Sequence, residues 1–270
     1  MRLALLVLLA ACGSSPVKAP AVTVPPRATT AGDPLLVYLP DGADAVAELD
    51  LKRLRENAVL ARLVEAAGRR EALGIDPLRD LDAVVAGVYR LGEDDAGTLF
   101  VLRGPGLAGK ELPDCERVDA TTFLSGPPAL RERARGGLLG DARFRALRAA
   151  AMPARASGAS VRVTARLTPR ARVAAAGRLG LDEVPATVSL WLDVADDAAL
   201  IALLGASDEK DAARLLGVLE GARAPSFLPS REGLRTEAQA ATLRLIWVLT
   251  PRRYAAWIDD LRAKIARPSS

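Results

Sequence analysis

From Leu35 onward, short apolar runs alternate with longer amphipathic stretches, which is the pattern of mixed β and α structure. The clearest strand runs from Val161 to Leu167. Val161, Val163, Ala165 and Leu167 fall on one face and Arg162, Thr164 and Arg166 on the other, so the alternation predicts one face against the core and one toward water. Ala83–Arg90, Thr98–Arg103, Val188–Val194 and Leu243–Leu249 read as further strands. Helices are predicted where apolar residues recur at three- and four-residue spacing: over Leu54–Gly68, over Asp208–Gly221, and along Tyr254, Trp257, Ile258, Leu261 and Ile265. A stripe of that last kind is normally core. The expected fold class is α+β, a sheet with amphipathic helices on one side.

One internal repeat stands out. Leu167-Thr168-Pro169-Arg170 and Leu249-Thr250-Pro251-Arg252 each end a strand and open a helix, 82 residues apart, with Arg162 and Arg244 matching at the same offset. Leu49-Asp50-Leu51 and Leu192-Asp193-Val194 form a fainter pair, both expected at strand-to-helix transitions. Together they suggest a duplicated α+β unit, with candidate halves 35–156 and 157–266. The bland alternative is convergence, since Thr caps a helix and Pro is pre-organised for its first turn.

Composition narrows the chemistry. The chain has no histidine, which excludes serine–histidine and cysteine–histidine catalysis and removes the commonest zinc ligand. Its two cysteines, Cys12 and Cys115, offer no disulfide framework if the first is modified. Ala, Leu and Val dominate the 50% of residues that are hydrophobic, and Arg far outnumbers Lys, a codon bias of GC-rich genomes.

The amino terminus carries the most specific signal. Arg2 precedes the apolar run Leu3–Ala11, the length of an export-signal core and far short of the roughly 20 residues that span a bilayer. The run closes on Leu9-Ala10-Ala11-Cys12, which resembles the lipobox of bacterial lipoproteins at every position. That resemblance implies cleavage before Cys12, a diacylglyceryl group on its sulfur and, in many Gram-negative species, a third acyl chain on the new amino terminus. Two or three acyl chains make a stable anchor where one does not. Gly13, in place of the aspartate that retains enteric lipoproteins at the inner membrane, points to the outer membrane. Residues 12–34, with Pro16, Pro20, Pro25, Pro26 and Pro34 and no apolar periodicity, read as the lipidated cysteine and a tether. Residues 35–266 are then the body and 267–270 a tail.

Candidate chemistry in the body is sparse. Gly104-Pro105-Gly106-Leu107-Ala108-Gly109-Lys110-Glu111 has phosphate-loop spacing, but Glu111 stands where a hydroxyl should hold magnesium and Pro113 stops the helix that should cradle the anion, so a plain turn is expected. Asp193, Asp196 and Asp197 would place carboxylates together for calcium or acid–base work; acidic residues also simply favour helix starts. Cys115 lies between Asp114 and Glu116, whose charges oppose a thiolate nucleophile. No catalytic, cofactor-binding or metal-binding residue is assigned; Cys12 alone is, as the lipidation site.

Charge is unevenly spread. Residues 131–178 carry twelve basic side chains against two acidic ones, whereas 182–237 carry eleven acidic against five basic. The basic stretch suits anionic lipid or glycan phosphates, and the opposition of the two stretches equally suits internal pairing. Nucleic acid is a poor partner for an exported protein.

The stretch from Ala47 to Arg103, with Leu49-Asp50-Leu51 and Asp76-Pro77-Leu78-Arg79-Asp80-Leu81-Asp82, looks like uncharacterised lipoproteins of GC-rich deltaproteobacteria such as myxobacteria. The resemblance implies lineage and no activity. The first expectation is a lipid-anchored, non-catalytic envelope protein, its body facing the periplasm and binding a partner protein or envelope component. The alternatives are a periplasmic carrier of a lipid or small apolar ligand, and a carboxylate-dependent cell-envelope hydrolase in which two of Asp50, Asp193, Asp196 and Asp197 meet in a groove.

Overall fold

In the computed structural model, residues 30–58, 61, 74–134, 137–152, 158–179, 184–194, 198–220 and 233–266 are described. The chain forms a first run of elements: β1 (Ala45–Asp50), α1 (Leu51–Glu56), α2 (Pro77–Asp80), β2 (Ala83–Tyr89), β3 (Gly97–Arg103), β4 (Cys115–Asp119), β5 (Thr122–Ser125), α3 (Pro128–Glu132) and α4 (Ala142–Ala150). A second run follows: β6 (Val161–Arg166), α5 (Pro169–Leu179), β7 (Thr187–Val194), β8 (Ala198–Gly205), α6 (Glu209–Glu220), β9 (Leu234–Gln239), β10 (Thr242–Leu249) and α7 (Pro251–Ala266).

The ten strands of the described residues join one antiparallel sheet in the order β4-β5-β3-β2-β1-β6-β7-β8-β10-β9. Outward from the central β1–β6 pair, each set of five runs first, second, third, fifth, fourth. The two runs therefore repeat one topology about an antiparallel seam, and the fold class is α+β. The sequence echoes do not mark this repeat. β6, which carries the first Leu-Thr-Pro-Arg, is the first strand of its set, whereas β10, which carries the second, is the fifth of the same set. The echo reflects similar local surroundings, in that Arg162 faces Glu48 across one strand pair and Arg244 faces Glu237 across another. Leu192-Asp193-Val194 ends β7 and leads by a hairpin into β8, so the expected helix is a strand.

The helix starts follow their caps. Asp50 accepts from the Arg53 N–H at 2.8 Å to open α1. Asp76 accepts from Leu78 at 3.1 Å before Pro77 in α2, and Asp141 accepts from Arg143 and Phe144 at α4. Thr168 accepts from Ala171 at 3.2 Å at α5, with Pro169 next in line.

Register sorts the side chains into two faces. Val161, Val163, Ala165, Val188, Leu190, Leu200, Leu204, Leu243, Leu245 and Trp247 lie on one, beneath Ala212 and Leu215 of α6 and Tyr254 and Ile258 of α7; we call it the α7 face. Helices α1, α2 and α5 pack on this face too. The expectation of helices on one side needs a correction here. α3 and α4, with the 3-10 segments Asp33–Tyr38 and Leu138–Gly140, cover the opposite face of the first set, burying Leu35, Leu36, Val46, Val85, Leu99, Val101, Leu130, Leu138 and Phe144. That α4 face is the one on which Arg162 and Thr164 were expected to meet water, yet they are 1% and 3% exposed. The body also starts before Leu35, since Thr30 is buried and Asp33 opens a 3-10 segment. The helix expected over Leu54–Gly68 is described as α1, and its later part lies outside the described residues.

Loss of a helix cap of this kind costs about 1 kcal/mol. Thr168→Ala is expected to lower the free energy of unfolding by that amount in urea denaturation, and an unchanged midpoint would contradict the capping role.

Candidate functional site

The alternation of β1 sends Val46, Glu48 and Asp50 to the α4 face, and β6 sends Arg162 to meet Glu48 directly across the seam. Both are 1% exposed, and Arg162 heads the large side chains that are fully buried. An ion that far from water must be hydrogen-bonded. Arg148 of α4 supplies the partner for Glu48, its Nε and Nη2 each donating at 2.7 Å to the two carboxylate oxygens. The Thr30 hydroxyl donates to Glu48 Oε2 at 2.8 Å. Arg148 also donates to Asp33, whose second oxygen accepts from the Thr30 N–H at 3.1 Å.

Arg162 donates from Nη2 to the Arg148 carbonyl oxygen at 2.7 Å. It thus sits at the last turn of α4, where the helix dipole favours a cation. Its Nη1 has no hydrogen-bond partner among the described residues and lies 4.0 Å from Asp33 Oδ1. Two carboxylates and two guanidiniums therefore close over the seam, held by both strand sets, α4 and the segment that follows the Pro-rich stretch.

Burial pushes the Glu48 carboxyl up from 4.5 to about 7, while the Arg162 charge and the Thr30 hydroxyl favour its ionised form. Burial likewise lowers Arg148 to about 9, helped by the Arg162 charge, so Arg148 remains a cation at neutral pH. Arg162 is lowered by burial as well, against the pull of Glu48.

A second polar group lies at one end of the same face. Arg53 gives its Nε and Nη2 to the two oxygens of Asp193, both at 2.7 Å, while its backbone N–H caps onto Asp50. The Ser160 hydroxyl donates to Asp193 at 3.3 Å. Asp50 and Asp193 come to the same sheet end with β6 and Arg53 between them, each occupied in holding α1 to the sheet. Asp196 and Asp197 lie outside the described residues.

The phosphate-loop spacing has a packing explanation. A Cβ on Gly104 would lie 2.2 Å from the Asp80 carbonyl oxygen and one on Gly106 2.6 Å from the Asp80 Cβ, so these glycines let the loop pass against α2. Lys110 pairs with Asp80 at 3.0 Å. Cys115 is partly buried, packed beside Leu112 and Phe123. Among the described residues, no group of three or more His, Cys, Asp or Glu side chains could hold a metal ion, and no helix is long and apolar enough to cross a membrane.

The basic stretch is partly consumed internally: Arg133 pairs with Asp41, Arg166 with Asp141 and Arg172 with Asp211, besides the buried Arg148 and Arg162. Glu48 and Arg148 were not singled out by sequence. A carboxylate alternating with Val46 in β1 was the available signal, and it gains meaning only once α4 is known to cover that face.

No known protein family and no curated protein matches the chain. Among solved structures it is similar to "Structure of crystal form I of TP0453", with a TM-score of 0.42 and 11% identity over 87% of this chain and 100% of that one. That likeness is too low to assign a fold or a function.

The raised Glu48 carboxyl sets a pH dependence. Between about pH 4.5 and 7 the folded chain holds a proton that the unfolded chain has released, so stability falls as pH rises through this window. Urea midpoints taken from about pH 5 to 8 should decline for the wild type and stay level for Glu48→Gln; parallel curves would contradict the assignment.

Proposed function

We propose that the chain is a non-catalytic, lipid-anchored protein of the bacterial cell envelope, held by acyl chains on Cys12, with its body facing the periplasm and binding a partner protein or envelope component. The lipobox Leu9-Ala10-Ala11-Cys12 and the Pro-rich stretch behind it support the anchor. The Pro-rich composition of residues 13–29 suits a spacer between anchor and body.

The observation that carries the reading is the fastening of Thr30 and Asp33. A tether holds a body only as firmly as its junction, and this junction is tied to Glu48 and Arg148 at the middle of the sheet. The same arrangement leaves Glu48, Asp50 and Asp193 occupied as structural acceptors. Gly13 favours the outer membrane as the anchoring site.

Metabolic labelling with radioactive palmitate in a Gram-negative host tests the anchor. Wild-type chain should take up label and sediment with membranes, and Cys12→Ala should lose the label and leave the membrane fraction. Label retained by Cys12→Ala, or membrane sedimentation unchanged in it, would overturn the proposal.

A further inference from the structure

We propose that β9 is a docking edge for a second copy of this chain, whose own β9 pairs with it antiparallel about a two-fold axis normal to the sheet. This pairing does not depend on the acyl anchor. β9 ends the sheet, and among the described residues no strand lies outside it. The two ends of the repeated topology are built differently. β4 carries a bulge between Arg117 and Asp119, a common protection of an exposed edge, whereas β9 pairs with β10 without interruption from Leu234 to Gln239. β9 also holds no proline and one charge of each sign, Arg235 and Glu237.

The register with β10 fixes which backbone groups face outward. Gln239 and Thr242 close the two-residue turn Ala240-Ala241, and the Val248 N–H donates to the Gly233 carbonyl oxygen at 3.4 Å. Hydrogen-bonded pairs alternate along an antiparallel ladder, so Gly233, Arg235, Glu237 and Gln239 turn their backbone groups to β10. The N–H and C=O of Leu234 and Ala238 therefore point away from the sheet. An incoming copy must match outward residues to outward residues, which permits registers centred on a residue and excludes those centred between two.

Charge selects among the permitted registers. Arg235 and Glu237 both lie on the α4 face, opposite Ile246 and Arg244 of β10. Centred on Thr236, the pairing sets Arg235 of each copy against Glu237 of the other, and Leu234 of each against Ala238. Centred one residue earlier it sets Arg235 against Arg235, and one residue later Glu237 against Glu237, so like charges oppose both slips. The two Arg–Glu pairs fall at non-hydrogen-bonded positions, where facing side chains come closest. Arg235 is exposed and has no ion-pair partner among the described residues. Glu237 takes Arg244 at 3.6 Å from β10, so the second copy's arginine approaches it from the opposite side. Six residues from each copy fall well below the roughly 20–30 of a standard interface, so the association is weak and depends on concentration.

Sedimentation velocity of residues 12–270 carrying Cys12→Ser should show a monomer that shifts toward dimer as concentration rises from micromolar to near-millimolar. Arg235→Glu makes carboxylates face carboxylates, and Glu237→Arg makes guanidiniums face guanidiniums; each should weaken self-association about tenfold or more. Mixed in equal amounts, the two variants should associate at close to wild-type strength, because every facing pair is then opposite in sign. Ala238→Pro removes an outward N–H without touching the bonds to β10, and it should also weaken the dimer. Circular dichroism confirms that each variant is folded.

A chain that stays monomeric at every concentration would overturn the docking edge. So would a dimer that Arg235→Glu and Ala238→Pro leave intact, because it would then form through another surface. A mixture of the two charge variants that associates no better than either alone would overturn the register.

Discussion

Burying Glu48 against Arg162 at the seam of the sheet imposes more on this fold than any other interaction. Taking those ions out of water costs several kcal/mol each unless their hydrogen bonds are remade. The remaking needs Arg148, which requires α4 to lie across the seam, and it needs Thr30 and Asp33, which requires the segment before Asp33 to return to the sheet. The C-terminal turn of α4 then serves Arg162 through a backbone carbonyl. Such a cluster is a weak source of net stability compared with an apolar core, but it specifies one arrangement, because a strand shift of one residue would leave charges unpaired.

This constraint also explains where the two strand sets differ. Each repeats the same order outward from the seam, but the chain that leaves β5 crosses to the far face as α3 and α4, whereas the chain that leaves β10 turns back as α7 onto the near one. The first set is thus covered on both faces. The second set has Tyr254 and Ile258 over one face and leaves Ile201, Leu203, Ile246 and Val248 less covered on the other. The coat on the repeated sheet is therefore asymmetric, and the Thr30–Asp33 segment is bound on the α4 face.

Much of the fold was legible. Val161–Arg166 follows its alternation, Ala83–Tyr89, Gly97–Arg103, Thr187–Val194 and Thr242–Leu249 are strands where short apolar runs predict them, and the stripe through Tyr254 and Ile258 is core as its spacing requires. Ala198–Gly205 escaped because its apolar residues run without interruption and Asp196-Asp197 before them mimics a helix start. Arg162 was misplaced for a stronger reason: alternation tells which residues share a face, not whether the polar face is later covered. What covers it is Ala142–Ala150, a helix with three arginines whose inward side shows in sequence as little more than Phe144 and Leu147. The carboxylates Asp50 and Asp193 were recognised as notable, and their partner Arg53 was invisible because it is 140 residues away from Asp193 in sequence.

If the seam cluster binds the two strand sets and the Thr30–Asp33 segment into one cooperative unit, native-state hydrogen exchange is the direct measurement. The slowest amides of β1 and β2 and those of β6 and β7 should then share one opening free energy, equal to that of global unfolding, and Arg162→Met should lower both together. Amides of β6–β10 that open at a distinctly lower free energy than those of β1–β5 in the wild type would contradict a single unit.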